Sequence, residues 1–360
     1  MNDNLVDMSE HLKTDEDIHL LKCTPSTALG SCRYKLPSVE DDEAVYNKII
    51  KTFQKYDIGA FFYIGGNDSM DTVAKLSAYI KSKGLDIKVV GVPKTIDNDV
   101  ATTDHTPGFG SAAKYIATSM LEIIRDSSVY WIDSITIVEI MGRDAGWLAA
   151  ASGVVKVNGE VAPHLIYLPE VAFSLEKFIE DIKEIQSKSK TVIVAVSEGL
   201  KLENGDYVAE SSNAEVLDAF GHKKMTGLGK FLEEYVADKI GCKVRSIELN
   251  VLQRCASHMA SKTDIEESSM IGSEAVKSAM SGETGVMVAF KRTSNNPYTV
   301  TVSTKQIDRI ANVEKLFPSE WINENKNGIT DDAVEYILPL IQGEMEIPMK
   351  NGLPVHIIIN

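Results

Sequence analysis

Short, nearly continuous apolar runs recur along this chain, at residues 58–64, 87–92, 134–140, 164–168, 191–196, 243–249 and 285–290. A strand that is apolar on both faces is buried on both, which is the pattern of parallel sheets covered by helices rather than of half-exposed antiparallel ones. Between the runs lie segments with helical spacing. In 43–56 the apolar residues fall at 45, 49, 50 and 53, and similar patterns occupy 70–83, 111–125, 148–155, 174–187, 226–240 and 263–281. Strands alternating with helices give an α/β fold with mainly parallel sheets. A β-hairpin is expected over 291–304, with Asn295-Asn296-Pro297 at its turn. Residues 1–47 read as polar and irregular, and 305–360 as a mixed segment packing on the rest.

The length of 360 residues accommodates two such lobes. The net charge of −15 argues against non-specific nucleic-acid binding and against an anionic membrane surface. It leaves room for a locally basic site that takes a phosphorylated substrate. Cysteines stand at 23, 32, 242 and 255, with no Cys-x-x-Cys pair, so neither a zinc site nor a disulfide framework is expected. A reducing, cytoplasmic location fits that usage. Residues 1–10 are acidic and lack an apolar core, so no signal peptide is expected, and no run approaches the length of a membrane span.

The polar residues that carry chemistry cluster just after the apolar runs. In open α/β sheets that is the ligand-binding edge. The first cluster, Gly65-Gly66-Asn67-Asp68-Ser69, links a strand to a helix N-terminus, where glycines admit a ligand and free N–H groups favour an anion. Ser69 also suits a helix N-cap, its purely structural role. The second, Pro93-Lys94-Thr95-Ile96-Asp97-Asn98-Asp99, places an ammonium, a hydroxyl and two carboxylates in one turn. An aspartate there suits a general base, and a plain polar turn is the alternative. The loop that follows, to Gly110, is longer than most βα connections. Its His105 is a candidate acid/base whose commoner role is a structural hydrogen bond. Met141-Gly142-Arg143, Glu198 and Arg254 also follow strands, and Arg143 faces either an anion or the neighbouring Asp144. The small-residue loop 24–33, ending in Arg33, is a further candidate for facing phosphate, with a surface loop as its alternative.

Taken together, Gly65–Ser69, Pro93–Asp99, Met141–Arg143 and Gln253-Arg254 resemble the signature loops of the 6-phosphofructokinase family, in that family's order and spacing, from about residue 20 onward. The resemblance implies two Rossmann-like lobes in the phosphofructokinase fold. A donor-binding lobe would comprise 1–110, completed by about 254–304, and a sugar-phosphate lobe 111–253, with 305–360 packing on both. It implies phosphoryl transfer to the 1-hydroxyl of fructose 6-phosphate. Asp97 would take the hydroxyl proton, with Lys94, Asp68 and Arg143 beside it. Thr95, Ile96, Met141, Gly142, Arg143 and Glu198 would line the sugar. Arg245 and Arg254, with Val251, Leu252 and Gln253, would surround its 6-phosphate. Gly65, Gly66, Asp68, Ser69, Lys94 and Arg33 would hold the donor, and Asn67 and Asp99 a Mg²⁺ ion. A homodimer is expected, with no nucleic acid and no membrane as partner.

Lys94 and Asp68 replace glycines of the ATP-dependent members and resemble the pyrophosphate-dependent branch. A carboxylate at 68 adds bulk and charge where a nucleotide's α-phosphate would lie. An ammonium at 94 offsets charge on the transferring group. ATP is the rival donor. Three features depart from the family pattern. Asn67 stands where Asp is usual, and Ser134 stands where an arginine supplied across a subunit interface is usual. The family's first βα unit, a buried strand with its glycine-rich donor loop, has no counterpart ahead of residue 20. Loss of that unit would expose a sheet edge and weaken folding and catalysis. The reading of a different class is therefore a non-catalytic chain that binds sugar phosphate or pairs with a full-length subunit.

Overall fold

The structure, a computed structural model, describes residues 5–32, 34–157, 159–208, 227–311 and 313–359. The chain opens with α1 Asp15–Cys23, α2 Glu43–Lys55, β1 Ala60–Gly65, α3 Asn67–Ser82, β2 Lys88–Pro93, α4 Phe109–Ser127, β3 Ser134–Ile140 and α5 Trp147–Ala151. There follow β4 Lys156–Val157, β5 Glu160–Val161, β6 Leu165–Tyr167, α6 Leu175–Gln186, β7 Thr191–Ser197, α7 Leu228–Ile240, β8 Lys243–Glu248 and α8 Leu252–Cys255. The last elements are α9 Lys262–Met280, β9 Val286–Asn295, β10 Tyr298–Gln306, α10 Asp331–Ile337, β11 Met349–Lys350 and β12 Leu353–Pro354.

Two four-stranded sheets organise the fold. The first runs β1-β2-β9-β10, parallel except for the β9/β10 pair, and β1 forms one edge. The second runs β6-β7-β3-β8 and is parallel throughout. The first sheet lies between α2 and α3 on one face and α9 on the other. The second lies between α4 and α5 on one face and α6 and α7 on the other. Phe317, Tyr336, Ile337 and Leu340 from the C-terminal segment fill the α4–α5 core. No helix among the described residues is long and apolar enough to cross a membrane.

Local chemistry accounts for these elements. Every residue of β3 is buried, its apolar residues together with Ser134, Thr136 and Glu139, as a central strand covered on both faces requires. Asp42 caps α2 by accepting the N–H groups of Ala44 and Val45, and Tyr46, Ile49, Ile50 and Phe53 form its buried stripe. Full burial of side chains like these contributes about 1.5–3 kcal/mol each.

Several expectations need correction. The N-terminal region is not irregular throughout. α1 starts in a capping box, in which Thr14 accepts the Asp17 N–H while the Asp17 carboxylate accepts the Thr14 N–H. The expected strand 285–290 and the first arm of the hairpin are one strand, β9, which pairs with β2 at one end and β10 along its length. α3 begins at Asn67, so Ser69 lies inside its first turn, and Gly66 takes the N-cap position without a side-chain bond. Residue 226, the expected start of the helix before β8, lies outside the described residues, as does Arg33.

Candidate active site

Register brings the loops together. Gly65 pairs with Pro93, so the turn after β1 and the loop after β2 leave the first sheet side by side. The Lys94 N–H donates to the Gly65 carbonyl at 2.9 Å. In the second sheet Ile140 pairs with Ser197 and Glu139 with Glu248, so Met141–Arg143, Glu198 and the Asn250–Arg254 turn leave together. The two sets of loops face each other across a cleft of about 1310 Å³.

Close backbone approach shapes both walls. A Cβ on Gly65 would collide with the Ser69 hydroxyl. On the other wall a Cβ on Gly199 would collide with the Arg143 carbonyl, and Gly142 adopts φ +133°, a region that favours glycine. The Ser197 hydroxyl donates to the Gly142 carbonyl and the Gly142 N–H donates to Glu198 Oε1 at 3.3 Å, which fixes the Met141–Arg143 loop.

Asp97 stands at the centre, half-buried. Its N–H donates to Thr95 Oγ1 and the Thr95 hydroxyl donates to its carboxylate, both at 3.1 Å. Burial raises its pKa, while Thr95, Arg143, Lys94 and Arg254 favour the ionised form. Three cations from three loops thus converge on one carboxylate. Glu198, raised mainly by burial, feels both Asp97 and Arg143. Asp99 is pushed up to about 7 by burial and by Asp97. The Asn67 side-chain amide donates to the Asp99 carbonyl and carboxylate, both at 3.2 Å, and its Oδ1 is buried without a partner.

Arg143 does not pair with Asp144. That carboxylate is taken by the Lys201 ammonium at 2.9 Å and the Tyr207 hydroxyl at 3.2 Å. Arg143 Nε is buried with no hydrogen-bond partner, as expected of a cation waiting for an anion in the cleft. His105 is structural. Its ring is buried, stacks on Phe290, and bonds Asp104 at 2.8 Å and Glu267 at 2.7 Å.

Gly65, Gly66, Asn67, Asp68 and Ser69 all line the cleft, as do Lys94, Thr95, Asp97 and Asp99. From the second sheet come Met141, Arg143, Glu198 and Arg254. Gly142 supports the wall from behind, and Ile96 packs against the α4–α5 core. Gln253 is buried, with its amide donating to the Asn250 carbonyl, and Val251 and Leu252 are exposed away from the cleft. Arg245 is not brought to the cleft of its own chain. It sits in a shallow surface depression with Tyr130 and Ser134, 3.8 Å from Asp126. Arg33 lies outside the described residues, and residues 27–32 and Lys35 line the cleft. Glu314, unforeseen from the sequence, also lines it. It arrives from the C-terminal segment through a β-bridge to Val100, and nothing in the local pattern there announces it.

The phosphofructokinase family model matches residues 3–279. Pyrophosphate–fructose 6-phosphate 1-phosphotransferase of Halomonas elongata is 40% identical over 356 residues, covering 98% of this chain and 84% of that protein. The protein of the same name from Methylococcus capsulatus is 38% identical over 359 residues, covering 99% of this chain and 84% of its own. The crystal structure of a pyrophosphate-dependent phosphofructokinase from Nitrosospira multiformis has a TM-score of 0.87 to this one at 38% identity, covering 98% of this chain and 83% of that one. With its α/β architecture and strand-end cleft, the chain belongs to the phosphofructokinase family.

Proposed function

We propose that this chain is a phosphotransferase that moves a phosphoryl group reversibly from pyrophosphate to the 1-hydroxyl of fructose 6-phosphate, giving fructose 1,6-bisphosphate. The observation that carries the reading is the convergence of Lys94, Arg143 and Arg254 on the half-buried Asp97. Phosphoryl transfer needs a base for the attacking hydroxyl and positive charge around the migrating group, and little else from the protein. Asp97, held by Thr95, takes the hydroxyl proton. Lys94 and Arg143 offset charge on the transferring phosphoryl group. Glu198 and Met141 contact the sugar, and Arg254 its 6-phosphate.

The donor lies against Gly65–Ser69, where α3 begins at Asn67 with no side-chain cap on its first N–H groups. Asp68 and Lys94 at this end, and the names of the relatives, support pyrophosphate over ATP. The residues also suit Mg²⁺. The unpartnered Asn67 Oδ1 and the Asp99 carboxylate are two hard oxygen donors. Among the described residues no cluster of three or more His, Cys, Asp or Glu side chains could hold an ion alone, which fits a cation that also takes water and donor oxygens. When bound, Mg²⁺ supplies charge neutralisation across the donor phosphates.

In this reading the lobe of 1–110 and 254–304 holds the donor and 111–253 holds the sugar phosphate. Two copies pair through the exposed stretch Val129-Tyr130-Trp131-Ile132, where Trp131 is 87% exposed and the Tyr130 ring lies against Lys243 of the edge strand β8. A cytoplasmic location completes it.

The test is an assay of the 360-residue chain with fructose 6-phosphate, Mg²⁺ and either pyrophosphate or ATP, reading fructose 1,6-bisphosphate. Product with pyrophosphate alone is expected. Product with ATP alone would overturn the donor, and none with either would overturn the activity.

A further inference from the structure

The C-terminal segment passes between the two sheets, and one of its residues touches the loops of both. The Lys315 N–H donates to the Asp99 carbonyl at 2.7 Å. Its ammonium donates to Asn98 Oδ1 at 3.1 Å and to the carbonyls of Thr103 and Asp104 at 3.3 and 2.7 Å. On the other side, the Lys315 carbonyl accepts the indole N–H of Trp147 at 2.9 Å, and the ammonium lies 4.9 Å from the centre of that ring. Trp147 opens α5, directly after the loop that carries Arg143. Two residues further on, the Phe317 N–H shares Glu170 Oε1 with the Gly146 N–H, both at 2.8 Å.

Asn98 is where the Lys315 contact reaches the chemistry. It lies between Asp97 and Asp99, fully buried, at φ +54°. Its Oδ1 accepts the Thr106 N–H as well as the Lys315 ammonium, and its Nδ2 donates to the Tyr336 hydroxyl at 3.0 Å. These bonds hold a left-handed residue whose conformation orients the carboxylates on either side. A position asked only to pack would be filled more favourably by an apolar side chain. Instead it holds an ammonium that donates to three oxygens of the loop after β2.

We propose that Lys315 is a positioning residue that ties the Asp97 loop of one sheet to the Arg143 loop of the other, and so sets the spacing of base and cation across the cleft. The kinetic consequence rests on the phosphotransfer reading; the tie itself does not.

Lys315→Met keeps the length and burial of the side chain and removes the ammonium. Trp147→Phe keeps a ring and removes the N–H at the other end of the tie. Amide hydrogen exchange of the unliganded chain reads the tie without reference to activity. In Lys315→Met, exchange over 97–106 and over 143–147 is expected to quicken at least about tenfold. Trp147→Phe quickens both stretches less. With fructose 6-phosphate, pyrophosphate and Mg²⁺, Lys315→Met lowers kcat on the order of 10²-fold, as misplacement of a catalytic group does. KM for either substrate stays within about threefold. The double variant loses less than the product of the two single losses, because both substitutions weaken one tie. Faster exchange confined to 97–106, additive kinetic losses, or raised KM at unchanged kcat would each overturn the proposal. If the wild-type chain transfers no phosphoryl group, the activity reading fails and exchange alone decides the tie. If Lys315→Met does not fold, unchanged exchange over 97–106 in Trp147→Phe rejects it.

Discussion

Asn67 donates its side-chain amide to the Asp99 carboxylate at 3.2 Å and leaves its own Oδ1 buried and unpaired. The neutral amide lets this pair close without a metal, because Asn67 adds no charge beside the carboxylate. Asn67→Asp exchanges the donor for a second negative charge. Without metal, the lost bond and new repulsion are expected to cost about 1–3 kcal/mol of stability. With Mg²⁺, the extra charge should lower the half-saturating concentration for activity about tenfold, since ligand charge tunes such sites. Thermal unfolding in chelator and a Mg²⁺ titration of rate check both arms. A half-saturation that does not move removes Asn67 from the ion.

Asp97 is the group whose loss should cost catalysis most specifically. Asp97→Asn keeps the shape and can still accept from Thr95, but it cannot take a proton. The expected loss in kcat is about 10²–10⁴-fold with KM little changed. A parallel rise in KM would mean that the carboxylate binds substrate rather than removing its proton.

Donor choice follows from two side chains on adjacent loops of the first sheet. Asp68 sits in the first turn of α3 and Lys94 directly after β2, and both line the cleft. Replacing both with glycine removes bulk and charge at the α-phosphate position and the ammonium suited to pyrophosphate. The ratio of kcat/KM for ATP to that for pyrophosphate should rise in the double variant. A ratio that stays put, with no loss on pyrophosphate, sinks the donor assignment.

Much of this site was legible because it is built from local patterns. The apolar runs ending at residues 64, 92 and 140 marked buried strands, and the polar residues after them had to emerge at the strand ends. The helix α1 was missed because few of its residues face a core, with Cys23 alone fully buried, although the Thr14/Asp17 capping box stands in the sequence. Glu314 and Lys315 were invisible for another reason. Their roles depend on a chain return more than 200 residues after Asp97, and no local period encodes which distant loop a segment will cross. Arg245 shows the converse limit. Its spacing from Arg254 is readable, but β8 carries it to a different surface of the same chain.

Gly199 tests how tightly the second wall is built. An added methyl would occupy the place of the Arg143 carbonyl, a backbone group that no side-chain rotation can move aside. Gly199→Ala is expected to displace Arg143, lowering kcat/KM by roughly 10²-fold and destabilising the fold by about 1–3 kcal/mol. Normal kinetics with full stability would show that the wall yields freely.

Glu139 offers a test of the fold that does not involve the reaction. It is buried in β3, where its carboxylate accepts the Gly229 N–H at 2.6 Å. Burial, then the charges of Glu248 and Glu198, push its pKa up from 4.5 to about 7. The folded state therefore keeps a proton that the unfolded chain releases above pH 4.5. Unfolding sheds that proton between pH 4.5 and about 7, so this group's contribution to stability falls as pH rises through that window. At about 1.4 kcal/mol per unit, the loss is on the order of 3 kcal/mol at most. Glu139→Gln stays neutral at every pH and can still accept from Gly229 through its carbonyl oxygen. The variant should match the wild type in denaturant unfolding near pH 4.5 and exceed it at pH 8. A difference that is the same at both pH values would mean that Glu139 ionises as freely in the folded chain as in the unfolded one.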